Sequence, residues 1–329
     1  MKRLLCLFFV LVIIAFSCCS IDEEQNWIFI DTDCGTDDLM AIELLLESES
    51  VHISGISIVQ GLTDIKDGAL IIRCMLDNYG YFNIPVYKGT TEPISLSHQF
   101  PIEWKDQTTK VGYSLFGGKC RNKDVYNFNP KEIIGILSNH KSTILALGPL
   151  TNINFLIKNG LNKSIKTVIM GGAILVNGNL AGSGEYETEN KYSEWNFYSD
   201  PLSSKNCFSY LDNIVLVPLD ATNTVKIDSS YLNKKKWLNR KKNLSLSILK
   251  NVENWINEGQ YYAWDPLAAA YLIDPSVLKL NRSAIIISTE KDEIGRTLLI
   301  DSGKKISYAI SGNKVIFDEV FFRNKNQFK

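Results

Sequence analysis

Neither charge is in excess in this sequence: 35 lysines and arginines face 36 aspartates and glutamates. A surface without a net field has no long-range pull on nucleic acid or an anionic membrane, so neither is an expected partner. Internal repeats and low-complexity tracts are also lacking. Beyond the first residues there is no apolar run of the roughly 20 residues that a membrane span requires. Cysteine gives little to work with. Of the seven, Cys6, Cys18 and Cys19 fall in the N-terminal segment, while Cys34, Cys74, Cys120 and Cys207 are too scattered to define a disulfide framework or a zinc site. The one basic cluster, Lys234-Lys235-Lys236 with Arg240-Lys241-Lys242, reads as a solvated face.

What is present is enough apolar residue, 45% of 329, to build a sizeable core. The N-terminus reads as an export signal over residues 1–20. Lys2 and Arg3 form a positive start, Leu4 to Phe16 an apolar run, and Ser17-Cys18-Cys19-Ser20 its end. Ala15-Phe16-Ser17-Cys18 resembles a bacterial lipobox, although Phe16 is bulkier than usual. A lipid anchor at Cys18, plain secretion and a retained N-terminal anchor all stay open. The expected location is periplasmic or at the cell surface, and the remainder, residues 21–329, reads as a single domain.

Short β-branched runs at Trp27–Asp31, Ile53–Val59, Ile84–Tyr87, Ser142–Leu147, Thr167–Met170 and Ile214–Pro218 predict strands. Between them lie apolar positions at helical spacing, such as Leu39, Ile42, Leu45 and Leu46. That alternation predicts an α/β fold with an open, mostly parallel sheet covered by helices on both faces. Ligands of such sheets bind beyond the carboxyl ends of the strands. Two stretches break the rhythm, Gly89 to Asn129, including Gly117-Gly118, and Gly178 to Ser193. Segments of that length without regular structure are usually functional or disordered.

The first predicted strand runs straight into Asp31-Thr32-Asp33-Cys34-Gly35-Thr36-Asp37-Asp38, and a helical pattern follows. Like charges so close repel unless a cation neutralises them, and hard oxygen ligands suit calcium or magnesium. Gly35 is expected to make the tight turn and Thr36 to cap the helix, leaving Asp37 and Asp38 in its first turn. Capping alone would need one aspartate, not four. An EF-hand is excluded, because the places needing Gly and a bidentate Glu are Thr36 and Ile42. A haloacid dehalogenase-type phosphatase is disfavoured by Gly35 and by the second of the paired aspartates.

Asp31-x-Asp33-x-Gly35-x-Asp37-Asp38 followed by Leu39-Met40-Ala41-Ile42 resembles the signature of the inosine-uridine nucleoside hydrolase family. Four further blocks resemble that family in the same order: Leu147-Gly148-Pro149-Leu150-Thr151-Asn152, Met170-Gly171-Gly172, Glu194-Trp195-Asn196-Phe197 with Asp200-Pro201, and Trp264-Asp265-Pro266. Together they span most of the chain after the signal. The resemblance implies a nucleoside hydrolase-like fold and calcium-dependent hydrolysis of the N-glycosidic bond of ribonucleosides. It implies Asp33, Asp38, Asp265 and the main-chain carbonyl of Leu147 as calcium ligands, and Asp37 as the base that takes a proton from the attacking water. Glu194, Asn196 and Asn179, with Asp37 and Asp265, are implied as ribose contacts. It further implies a homo-oligomer.

The sequence departs from the family in places. One branch carries histidine immediately before the last aspartate, as acid for the departing base, and here Trp264 stands there. A purine-preferring branch has tryptophan at that place and a second ring near Phe100-Pro101-x-Glu103-Trp104, which makes Trp104 and Trp264 the candidate base-stacking pair. Where the family often has Gly-Asn, this chain has Gly61-Leu62, whose side chain cannot order a water. The segment before Glu194 is long, so the contact to the ribose 5′-hydroxyl falls to Asn179 or to Asn190, with Asn179 favoured. Two other functions remain open: hydrolysis of another ribosyl compound, and a non-catalytic nucleoside-binding lipoprotein.

Overall fold

Along each central strand the side chains alternate between two separate cores. Ile28 and Ile30, Leu145 and Leu147, Val168 and Met170, and Val215 and Val217 point into one, while Phe29, Ile144 and Ala146, Ile169, and Ile214 and Leu216 point into the other. A period of two with apolar residues on both sides is the pattern of a sheet buried on both faces. These strands come from a computed structural model that describes residues 26–90, 98–116, 120, 124–180, 188–238 and 243–323. The export signal with Cys18, and Gly117, Gly118, Arg240, Lys241 and Lys242, lie outside the described residues.

In chain order the strands are β1 (Asn26–Thr32), β2 (Val51–Ile58), β3 (Val86–Lys88), β4 (Tyr126–Asn127), β5 (Thr143–Ala146), β6 (Lys166–Met170), β7 (Asn213–Val217), β8 (Leu278–Ile287), β9 (Thr297–Ile300) and β10 (Lys305–Gly312). They form one sheet in the order β4-β3-β2-β1-β5-β6-β7-β10-β8-β9. All neighbours from β4 through to β10 are parallel, and β8 runs antiparallel to both β10 and β9. The sheet is therefore mixed and mostly parallel, as expected. All six predicted strands are present, but the antiparallel C-terminal edge was not read from the sequence.

The helices are α1 (Thr36–Glu47), α2 (Ile65–Tyr79), α3 (Ile102–Phe116), α4 (Pro130–Asn139), α5 (Thr151–Lys158), α6 (Trp195–Ser199), α7 (Pro201–Tyr210), α8 (Leu219–Thr222), α9 (Leu244–Asn251), α10 (Glu253–Asn257), α11 (Trp264–Ile273) and α12 (Lys314–Phe321). Helices α1, α2, α9, α11 and α12 bury their apolar residues in the first core, and α4, α5 and α7 in the second. The strand order turns back on itself between β1 and β5, and a crevice opens beyond the carboxyl ends of strands at such a point. None of the described helices is long and apolar enough to cross a membrane.

Two expectations are corrected. The stretch Gly89 to Asn129 holds α3 and β4; α3 buries only Gly112 and Phe116, too few to leave a clear apolar stripe in the sequence. Cys74 of α2 is disulfide-bonded to Cys120, with Cα atoms 4.7 Å apart. Their separation of 46 residues carries no spacing signal, and only the packing of α3 beside α2 brings them together. Cys34 and Cys207 are buried and free.

Candidate active site

The turn between β1 and α1 fixes the first carboxylates. Its sharp residue is Cys34, at φ 61°, a left-handed conformation that a non-glycine residue seldom adopts. Cys34 N–H donates to Thr32 Oγ1 at 3.0 Å, which holds the turn. Gly35 is extended (φ −64°, ψ 172°) and is itself the N-cap of α1. The expected roles of Gly35 and Thr36 are thus each displaced by one residue. Glycine is required at 35 for proximity: a Cβ there would stand 2.8 Å from Asp38 Oδ2 and 2.9 Å from Asp37 Oδ1.

Asp37 and Asp38 lie in the first turn of α1, as expected. Asp38 accepts from Gly35 N–H at 2.9 Å and from the hydroxyl of Thr32. Asp265 arrives from the first turn of α11, which packs along α1. Oxygens of Asp37, Asp38 and Asp265 lie within 4.8 Å of one another. Asp33 stands beside them, in hydrogen-bonding contact with Asp38, its Oδ2 accepting from Leu62 N–H at 2.9 Å. Asp31 does not join the group. It is fully buried in β1 and turned to Ser57 and Asn152, which donate to its Oδ1.

The electrostatics of this cluster are severe. Burial, followed by the charge of Asp38, pushes the Asp33 and Asp265 carboxyls well above the usual carboxylate range. The same two causes push Asp37 up to about 7, and burial raises Asp38 as well. Oδ1 of Asp265 is buried without a hydrogen-bond partner. Among the described residues lining the cavity there is no lysine, arginine or histidine to neutralise the group. An orphaned acceptor, clustered carboxylates and an all-oxygen donor set fit a hard divalent cation. The residues placed to hold one are Asp38 and Asp265, with Asp33 and the Leu147 carbonyl beside them, and Asp37 stands within 4.8 Å of the first two. That carbonyl, just past β5, accepts from Asn196 Nδ2 at 3.0 Å.

The cluster forms one end of a cavity of about 830 Å³. Glu194 and Asn196 line it from the start of α6, where Glu194 is the N-cap. Glu194 accepts from Asn196 N–H and Gly172 N–H, each at 2.9 Å, and from Phe197 N–H at 3.3 Å. Burial still raises its carboxyl to about 7 against those bonds. Asn179 lines the same wall and accepts from Trp195 N–H at 3.1 Å. Gly178 makes this possible, since a Cβ there would lie 1.9 Å from the Ser193 carbonyl oxygen. Asn190 is elsewhere, its Nδ2 donating to the Ile294 carbonyl at 2.8 Å.

The cavity is also lined by aromatic rings. Trp104, from α3, packs on Trp195 at 5.6 Å and Trp255 at 6.1 Å between ring centroids. Trp264, at the first residue of α11, packs on Tyr261 at 5.2 Å and Tyr262 at 5.9 Å. Trp104 and Trp264 therefore belong to two separate aromatic groups on one cavity. Trp255 and Tyr261 were not read from the sequence. Tyr261, three residues before Trp264, could have been noticed through that motif, but Trp255 on the short helix α10 carries no such signal.

The family model described as inosine-uridine preferring nucleoside hydrolase matches residues 28–320. Uridine nucleosidase 1 of Arabidopsis thaliana is 27% identical over 86% of this chain and 84% of its own length. A non-specific ribonucleoside hydrolase of Salmonella paratyphi A is 24% identical over 83% of this chain and 88% of its own. Among solved structures, the inosine-uridine preferring nucleoside hydrolase of Bacillus anthracis superposes with a TM-score of 0.77 at 22% identity, over 90% of this chain and 97% of that one. The match runs from β1 into α12, through the turn that carries Asp33, Asp37 and Asp38 and the helix that carries Asp265, and the chain belongs to the inosine-uridine preferring nucleoside hydrolase family.

Proposed function

We propose that this protein hydrolyses the N-glycosidic bond of ribonucleosides, purine nucleosides by preference, with calcium held at the aspartate cluster. The observation that carries this reading is the convergence of Asp37, Asp38 and Asp265, with an unpartnered acceptor among them, on a cavity that is also lined by indoles. Of the hard cations, calcium tolerates the six to eight oxygens that such a cluster and a ribose together supply. When bound, the cation supplies charge neutralisation and lowers the pKa of water at the site.

The chain's own residues supply the rest. Asp37, half-buried at the cavity wall, takes the proton of the water that attacks C1′ of the ribose. Glu194, Asn196 and Asn179 hold the sugar hydroxyls, and orientation of the sugar lowers the barrier as an oxocarbenium-like state develops. Trp264 has no titratable proton to give, so the departing base takes its proton from solvent. Stacking on an indole favours a base that carries positive charge. Several relatives are named for uridine, so the base preference rests on Trp104 and Trp264 alone.

The chain is also proposed to be exported. Lys2, Arg3 and the run from Leu4 to Phe16 support it, and the Cys74–Cys120 disulfide accords with an oxidising compartment. Labelled palmitate on the wild type, absent from Cys18→Ala, would mark the lipoprotein form.

The decisive assay follows free ribose from a panel of nucleosides, with chelator and with calcium restored. Release that stops with chelator and returns with calcium supports the reading. Tight binding with no release under any condition would leave only a nucleoside binder. Similar kcat/KM for inosine and uridine, or a Trp264→Ala variant with an unchanged ratio between them, would remove the purine preference.

A further inference from the structure

Helix α3 forms part of the cavity wall and presents Trp104, Thr108 and Val111 to it. Apart from the packing of Trp104 on Trp195 and Trp255, its own anchorage is slight. Only Gly112 and Phe116, both in the second half of the helix, are buried. Lys105 pairs with Asp64 at 2.7 Å, but the Asp64 side chain is 64% exposed, and exposed pairs contribute little. Tyr113 donates to Asp67 at 2.8 Å, also on the surface. The helix lies close against α2 at Gly112, where a Cβ would stand 2.6 Å from Ile71 Cδ1. Just beyond the end of α3, Cys120 is bonded to Cys74 of α2.

We propose that the Cys74–Cys120 disulfide is a positioning element for the aromatic wall: it clamps α3 to α2, so that its redox state sets how tightly the base is held, and not how fast the glycosidic bond breaks. The separation follows from the fold. The carboxylates proposed for chemistry lie on the β1 turn, α1 and α11, and none is on α2 or α3. The inference rests on the hydrolase reading for its kinetic consequences. Reduction needs a dithiol. Cys120 is half-buried and Cys74 buried, so a dithiol thiolate attacks the Cys120 sulfur and expels Cys74, which takes a proton. The second thiol then closes the reagent to its own disulfide and releases Cys120, two electrons and two protons having passed to the protein.

The test assays the purified protein oxidised, reduced with a dithiol and reoxidised, alongside C74A/C120A, with circular dichroism to confirm folding. The expected result is a three- to tenfold higher KM for the preferred nucleoside in the reduced protein and the variant. kcat should stay within twofold, and reoxidation should restore KM. Amide hydrogen exchange should quicken over residues 102–116 and stay unchanged over 36–47. An unchanged KM in reduced, folded protein overturns the proposal, as does a fall in kcat matching the rise in KM. Unfolding of the whole chain on reduction overturns it too, since the bond would then be holding the fold. If the oxidised protein hydrolyses no nucleoside, the hydrolase reading fails by itself, and the exchange pattern still decides the clamp.

Discussion

The main-chain N–H of Leu62 donates to Oδ2 of Asp33 at 2.9 Å. A residue whose side chain looked unsuited to the site thus serves it through its backbone, which any side chain would permit. Glycine is demanded one position earlier. A Cβ on Gly61 would stand 2.2 Å from Asp33 Oδ2 and 2.5 Å from Asp33 Cβ. The turn cannot move aside easily, because Thr63 N–H and its hydroxyl both donate to the Asp33 carbonyl, at 3.1 and 2.9 Å.

Gly61→Ala should therefore displace the Asp33 carboxylate and lower kcat/KM by about 100-fold, the scale of an ångström-sized misplacement in a catalytic site. Leu62→Ala keeps the donor and should change kcat/KM little. Steady-state kinetics of the two variants decide the matter. A Gly61→Ala protein as active as the wild type would show that Asp33 is not held where it must be for turnover.

Asp265 and Asp37 should separate binding of the cation from chemistry. Replacing Asp265 by asparagine removes one of several like charges from a buried cluster, and its Oδ1 has no partner to lose. Without calcium, Asp265→Asn should be at least as heat-stable as the wild type. With calcium, the wild type should gain stability, about 2.7 kcal/mol at a concentration 100 times Kd, and Asp265→Asn should gain little. Asp37→Asn should keep most of the calcium response while kcat falls by roughly 10²- to 10⁴-fold, the usual contribution of a general base. Thermal melts with and without calcium test the first pair of outcomes and kinetics the last. Equal loss of the calcium response in both variants would make Asp37 a ligand instead of a base.

What could be read in the sequence followed the range of the interactions. The β1 turn was legible because Asp33, Asp37 and Asp38 are neighbours in sequence, and carboxylates so crowded need an explanation that capping cannot supply. The parallel half of the sheet was legible because strands buried on both faces leave short β-branched runs. Asp265 was legible only by resemblance, since nothing local links α11 to α1. The tight turn falls at Cys34 and not at Gly35, where glycine serves instead to make room for Asp37 and Asp38, and residue type alone does not separate those two uses. The disulfide and the Trp104–Trp255 contact join segments that are distant in sequence, and no periodicity reports such pairs. The C-terminal strands were missed for another reason: β8 is exposed from Lys279 to Arg282, which leaves only the short apolar run Ala284–Ile287 to mark it.

The two asparagines proposed for the ribose 5′-hydroxyl now differ in geometry. Asn179 lines the cavity, and its side-chain oxygen accepts from Trp195 N–H, which ties it to the start of α6 with Glu194 and Asn196. Asn190 uses both ends of its amide away from the cavity, donating to the Ile294 carbonyl and accepting from Tyr192 N–H at 3.1 Å. Asn190→Ala should accordingly lower stability by about 1 kcal/mol, the net value of a lost buried hydrogen bond, and leave KM as it was. Asn179→Ala should lower kcat/KM about tenfold, as expected when one bond to a substrate hydroxyl is lost. A 5′-deoxynucleoside provides the control: it lacks the hydroxyl, so wild type and Asn179→Ala should turn it over alike. If Asn179→Ala remains impaired on that substrate, its side chain acts by holding the start of α6 in place; if instead Asn190→Ala raises KM, the contact belongs to Asn190 and its loop must close differently over the bound sugar.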